Sequence, residues 1–393
     1  HRAEVAVRGR DEAHVGAAMY TEKPGHVFEL EPGRERARVG PILAGVLEGK
    51  SLLTLAWQSL RYLWKRWRLR RQLSPCQPGF AHVRDCPELQ GSFADWLRRH
   101  GLDALAPIFE IPLTRMGYGA LDEIAAAYAL TYMSPATFKD LGVFAADLPF
   151  RRWPKRFTLG YGRLFERLAA EVDVLTGVRI LEIKRGEQVE ISYLLLEQQL
   201  EGETSVPERE NFDYLVLACP QLTSVLEPFL DLTPQERRLF DQVVFNPFFV
   251  STYHAPGTDE IAAVTFSLRD PPDGQPCVVT RQYPENDFIS VYSRGDRAGR
   301  ITREQVEANN AAFLPRINAS GAHRHATTSD DWAYFPHVPV GAMDAGFYGD
   351  LEGMQGANRT FYCGGLLAFE LVEAIAEHAH RLVQDKFVGK GNA

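Results

Sequence analysis

What the chain lacks narrows its chemistry. No CxxC pair occurs among its five cysteines, Cys76, Cys86, Cys219, Cys277 and Cys363. An odd number without ligand spacing argues against a disulfide framework and a zinc cluster, and makes a reducing, cytoplasmic compartment the expectation. Walker-type loops, GxSxG elbows and HExxH pairs are absent, which removes P-loop, serine-hydrolase and zincin chemistry from view. The pairs His323/His325 and His378/His380 stand two apart, a spacing that a helix points to different faces, so no metal site is expected. No apolar run reaches spanning length and no signal-peptide pattern follows His1. Positive charge is also short. With 43 Lys and Arg against 51 Asp and Glu the net charge is −8, which argues against a nucleic-acid partner.

What is there suffices for a large core. The 393 residues are 45% hydrophobic and 11% aromatic, a globular composition with material for two or three domains. Residues 1–40 read as strands and turns, and 41 to about 150 as mainly helical. Helix, strand and a polar hairpin or loop follow from Gly160, with the strands VRILEIKR and FDYLVLACP. Residues 243–295 alternate as an antiparallel sheet does, and a helix is expected around 302–314. Within the helical part, Leu53, Trp57, Leu60, Trp64 and Trp67 recur at helical spacing, interleaved with arginines. Such a stripe either packs a lobe onto a core or lies on a membrane interface. With the chain's overall negative charge, packing is the expectation.

The chain closes on NRTFYCGGLLAFELVEAIAEHAHRLV, residues 358–383. A β-prone run meets Gly364 and Gly365, and a helix is expected from about Phe369. Strand, glycine turn and helix can set backbone N–H groups and a helix N-terminus against a dinucleotide, or can be an ordinary connection. The phosphate-binding fingerprint itself is missing. GYGRLF offers Gly160 and Gly162 but ends on Phe165, too large where close helix–strand packing demands glycine. Before the closing strand, WAYFPH gathers Trp332, Tyr334 and Phe335, followed by Tyr348. These rings suit the wall of an apolar or planar-ring pocket, or a core cluster.

In that order, FDYLVLACP, WAYFPHV and GFYGDLEGMQGANRTFYCGGLLAFE resemble the flavin amine oxidase-like superfamily. Within it, the resemblance is to the branch of bacterial polyunsaturated fatty acid double-bond isomerases. It runs with gaps over most of 110–393, through MGYGALDEIAAAYALTYM and RRWPKRFTLGYGRLFERL, and more faintly over 1–75. It implies an α/β (α+β overall) architecture. A Rossmann-type FAD-binding domain would be assembled from 1–40, 155–242 and 340–393, with a helical lobe at 41–154 and an antiparallel-sheet substrate domain at 243–339. Members open with a strand, a GxGxxG turn and a helix, so the FAD-binding domain is expected to be N-terminally truncated here.

Residue by residue, the resemblance places Gly16, Ala17, Ala18 and Met19 beside the isoalloxazine, and Ile180 at the adenine end. Cys363, Gly364 and Gly365 would sit at the ribityl–pyrophosphate region, with Leu371 and Val372 near the flavin. Many relatives carry glutamate where this chain has Gly365, and Gly162 likewise replaces a larger residue. The lysine that amine-oxidase cousins often hold near the flavin has no match here. The implied activity is hydride removal from a carbon between double bonds and its return to another carbon, isomerising an unsaturated fatty acid. Trp332, Tyr334 and Phe335 would stabilise an electron-poor carbon chain through their π-faces. Two alternatives stand beside it: a flavin dehydrogenase or oxidase of a small molecule, and a non-catalytic or lipid-binding remnant.

Overall fold

The computed structural model describes residues 7–9, 17–20, 50–73, 79–139, 155–157, 160–196, 206–256, 264–267, 271–281, 287–317 and 326–388. The described strands and the helices used below run in this order. Short strands β1 (Val7–Gly9) and β2 (Ala17–Tyr20) precede helices α1 (Leu52–Arg68), α2 (Phe93–Arg99) and α3 (Ala126–Tyr132). Then come β3 (Lys155–Phe157), helix α4 (Gly160–Ala169), β4 (Val178–Arg185), β5 (Val189–Leu195), β6 (Glu208–Phe212) and β7 (Leu215–Leu217). Helix α5 (Pro234–Phe240) leads into β8 (Val244–His254), β9 (Val264–Ser267), β10 (Pro276–Thr280) and β11 (Phe288–Arg294). Helix α6 (Arg303–Phe313), β12 (Thr328–His337), β13 (Thr360–Tyr362), α7 (Gly365–Ala368) and α8 (Val372–Val383) complete the chain.

The largest sheet has the order β12-β8-β11-β10-β9-β2. Its middle is antiparallel, as alternation over 243–295 requires, and only the β2–β9 edge pair is parallel. β4, β5 and β6 form a separate antiparallel meander. FDYLVLACP is not one strand: Phe212 ends β6, and Leu215–Leu217 form β7, which pairs in parallel with β13. This pair is the structural frame of the closing glycine turn.

A buried cluster of charge and hydroxyl fastens the meander to that frame. Arg185 at the end of β4 donates to both Glu236 carboxylate oxygens, at 2.5 and 2.9 Å, and to the Thr360 hydroxyl at 3.3 Å. Tyr362 on β13 donates to the same Glu236. Glu236 also closes the capping box of α5 with Thr233. Burial opposes the Glu236 charge, but hydrogen bonds from Arg185, Tyr362 and the Thr233 backbone overcome it and hold its carboxyl at about 2.

The tryptophan helix departs from its expected packing. Ser51 caps α1, and its inward face is made by Leu55, Tyr62 and Arg66. Tyr62 donates to the Met133 carbonyl at 2.5 Å and Arg66 to the Leu130 carbonyl at 2.7 Å. These bonds fix the rotation of the helix and turn Leu53, Trp57, Leu60, Trp64 and Trp67 outward, each more than half exposed. Periodicity found the stripe but could not say which face the tertiary hydrogen bonds would choose. Within the part expected to be mainly helical, residues 121–124 form turns and α3 begins only at Ala126.

Candidate functional site

The closing turn is tighter than the sequence suggests. Cys363 donates its N–H to the Leu217 carbonyl at 3.0 Å, continuing the β13–β7 pairing. Gly364 then adopts φ +111°, and a Cβ there would stand 2.9 Å from the Ala218 carbonyl oxygen. Only glycine meets both conditions. The expected single helix from Phe369 is instead two. The four-residue α7 begins at Gly365, Phe369 breaks it with φ +68°, and α8 starts at Val372 behind Leu371. No side chain caps the first turn of α8, so its leading amides remain available to a ligand.

Three tyrosine hydroxyl and backbone links hold this turn against β12 and α3. Tyr348 donates to the Leu366 carbonyl at 2.9 Å and is hydrogen-bonded to the Tyr128 hydroxyl. That hydroxyl accepts the Val338 N–H at 3.1 Å, just past β12.

Between these elements lies an aromatic cluster. Tyr118 stacks on Phe369 at 5.3 Å and meets Phe335 edge-on at 5.1 Å. Phe335 and Phe369 touch at 5.3 Å, and both are bulky residues at positive φ, 52° and 68°. Backbone strain of this kind persists where the surroundings impose it, and it concentrates at functional sites. Tyr334 stacks on Phe248 at 5.3 Å and lies 5.5 Å from the Tyr118 ring, with the two hydroxyls interacting. The approach depends on Gly117, where a Cβ would stand 2.9 Å from Phe248 and 3.0 Å from Tyr334.

The acidic residue of the cluster is Glu370. Burial pushes its carboxyl up to about 7, against the opposing bond from the Phe335 backbone N–H. Its charge in turn raises the hydroxyls of Tyr118 and Tyr334, which burial already raises, Tyr334 to about 12. His337 stacks on Phe335 at 4.5 Å. Its Nδ1 lies 2.6 Å from the Phe335 carbonyl and its Nε2 3.4 Å from the Arg297 guanidinium. That network assigns the proton to Nδ1. Burial holds the imidazole down at about 4, so it is neutral near pH 7.

The expected site residues are distributed unevenly around this cluster. Tyr334 and Phe335 lie in it, whereas Trp332, also on β12, is 56% exposed and beyond its ring contacts. Cys363, Gly364 and Gly365 form the turn, with Leu371 and Val372 at the start of α8. Ile180 lies at a bulge in β4, partly exposed, in the meander that Arg185 ties to the turn. Ala17, Ala18 and Met19 form β2, in register with Val264, Thr265 and Phe266 of β9, and Gly16 lies outside the described residues. Glu370, Tyr118 and Phe369 were not singled out from sequence. The MGYG turn and the acid opening an apolar helix were their only signals.

Flavin dinucleotide chemistry fits one end of this arrangement. A parallel strand pair, a turn that admits no Cβ at Gly364, and a first turn of the helix from Val372 with no side-chain cap are what such a group requires of its binding face. The chain has the fold of the flavin amine oxidase-like superfamily. Its likeness to the CLA-producing fatty acid isomerase from P. acnes has a TM-score of 0.73 at 20% identity, over 96% of this chain and 81% of that one. Wild-type putrescine oxidase bound to putrescine gives 0.59 at 16% identity, over 86% and 76%. Cyclohexylamine oxidase from Brevibacterium oxydans IH-35A gives 0.58 at 14% identity, over 98% and 82%. Among curated proteins, the FAD-dependent oxidoreductase dpasF of Apiospora sacchari is 26% identical over 309 residues, 72% of this chain. The chain spans 60% of that relative's length. No family model matches.

Proposed function

We propose that the protein is an FAD-dependent oxidoreductase-like enzyme acting on an apolar substrate, and that its reaction is double-bond isomerisation of an unsaturated fatty acid. FAD is its cofactor, held at the closing turn by Gly364, Gly365 and the amides opening α8, and it supplies hydride acceptance and return at N5. The observation that carries the reading is the cluster of Tyr118, Tyr334, Phe335 and Phe369 packed against that turn. These rings exclude water and present π-faces to a carbon chain that loses hydride. Removal and return of one hydride leaves the substrate's oxidation level unchanged and needs no proton acceptor. The neutral His337 and the absence of paired carboxylates among the cluster residues are consistent with such chemistry.

One observation favours a second reading, net dehydrogenation of a small molecule. Dehydrogenation removes a proton as well as a hydride, and Glu370, titrating near 7, offers a place for that proton. The two readings separate in one experiment. FAD-loaded protein is mixed anaerobically with a fatty acid carrying methylene-separated double bonds, and the conjugated-diene and flavin absorbances are followed together. Isomerisation gives accumulating diene and a flavin that ends oxidised. Lasting bleaching without diene moves the assignment to dehydrogenation, and a chain that retains no FAD overturns both.

A further inference from the structure

We infer that helix α1 docks the protein on the surface of an anionic lipid bilayer. Leu53, Trp57, Leu60, Trp64 and Trp67 fall within an arc of about 80° on a helix of 3.6 residues per turn. Every one is more than half exposed. Exposure here does not come from a loosely held helix. The opposite face is buried through Leu55, Tyr62 and Arg66, and the bonds from Tyr62 to Met133 and from Arg66 to Leu130 lock its rotation. A monomeric protein rarely leaves such an apolar ridge without a partner.

Charge selects that partner. Residues 51–72 contain Arg61, Lys65, Arg66, Arg68, Arg70 and Arg71 and no acidic residue, a segment of +6 in a chain of −8. Arg66 is buried and Lys65 is shared with Glu88 at 3.4 Å. Arg61, Arg68, Arg70 and Arg71 remain exposed. Two of them sit on the stripe itself, the Arg68 guanidinium 5.0 Å from the Trp64 ring and that of Arg70 4.1 Å from Trp67. Tryptophan at the headgroup level with arginine reaching lipid phosphates is the arrangement of an interfacial helix. A second copy of the chain is a poorer occupant, because apposed α1 helices would bring two cationic flanks together. An in-plane helix of 17 residues, about 25 Å long, presents the stripe side-on and crosses nothing.

The test is sedimentation of the full chain with vesicles of phosphatidylcholine, with and without phosphatidylglycerol. Binding is expected to the anionic vesicles, to weaken in high salt, and to be much lower on phosphatidylcholine alone. W57A/W64A/W67A is expected to lower the partition coefficient at least about tenfold. Each of R61Q, R68Q and R70Q is expected to lower it about fivefold on anionic vesicles only. These side chains are exposed, so an unchanged thermal midpoint identifies a folded variant. Three results overturn the inference: no binding to anionic vesicles, equal binding by the triple tryptophan variant, or a solution dimer that this variant makes monomeric while vesicles go unbound. Vesicle binding is read without flavin or turnover, so its failure is distinct from failure of the proposed reaction.

Discussion

Glu370 folds back over Gly365, so that a Cβ on the glycine would stand 3.1 Å from the Glu370 Cγ. The resemblance implies glutamate at the position of Gly365 in many relatives. Here the same volume is taken by a carboxyl-bearing side chain arriving from five residues later. The acid of this turn thus stands in the loop between α7 and α8, where it also receives the Phe335 N–H.

A raised carboxyl is a stability statement with a definite sign. Between its ordinary 4.5 and about 7 in the folded protein, the folded state binds more protons at Glu370 than the unfolded state does. The group's contribution therefore falls as pH rises through that window and is least favourable above it. Glu370→Gln is expected to be more stable than wild type at pH 8 by about 1–3 kcal/mol. In urea titrations the advantage should shrink as pH approaches 4.5. An equal gap at both ends would mean that the carboxyl titrates in its usual range.

The close approach of Gly365 and Glu370 makes their substitutions interdependent. Alanine is favoured over glycine inside a helix by about 1 kcal/mol. In wild type, the added Cβ displaces the Glu370 stem and that gain is offset. In a Glu370→Ala background, Gly365→Ala should stabilise by up to about 1 kcal/mol, and a double-mutant cycle measures the difference. Strict additivity would separate the two residues.

Much of the fold was legible because period and turn chemistry are local. Alternation over 243–295 marked β8 to β11, and the helix expected around 302–314 is α6. The closing strand and glycine pair were visible for the same reason. Other features depend on distant partners. The outward turn of the α1 tryptophans follows from hydrogen bonds to Met133 and Leu130. The Glu370 environment needs Phe335 and Tyr118, far away in sequence. Nor could spacing separate Tyr334 from Trp332: both alternate correctly along β12, and only the turn through Gly117 covers one of them.

The Arg185–Glu236 pair should behave as a buried ion pair whose partners cannot be removed singly. Glu236→Gln removes the bidentate acceptor of Arg185 and leaves its charge to Asp231 alone, at 2.8 Å, so it is expected to destabilise by about 2–4 kcal/mol. Its pH signature is opposite to that of Glu370. The folded carboxyl lies at about 2, below its ordinary 4.5, so its contribution is present above 4.5 and is lost as pH falls towards 2. Wild type should show an acid limb in this window that is flattened in the variant. Parallel limbs would assign acid sensitivity to other carboxylates.

The last prediction separates two aromatic residues on one strand. Tyr334 is packed between Tyr118 and Phe248, beside the closing turn, while Trp332 is largely in solvent. If the π-faces at the site stabilise an electron-poor carbon chain, Tyr334→Leu should slow diene formation about 10- to 100-fold, the equivalent of about 1.4–2.7 kcal/mol. The same substitution at Trp332 should change it less than about threefold. Tyr334→Phe keeps the ring and loses the hydroxyl bond to Tyr118, so it should retain most of the activity lost in Tyr334→Leu. Equal losses in the Phe and Leu variants would assign the role to the hydroxyl, and a larger loss at Trp332 would move the substrate's path to the exposed end of β12.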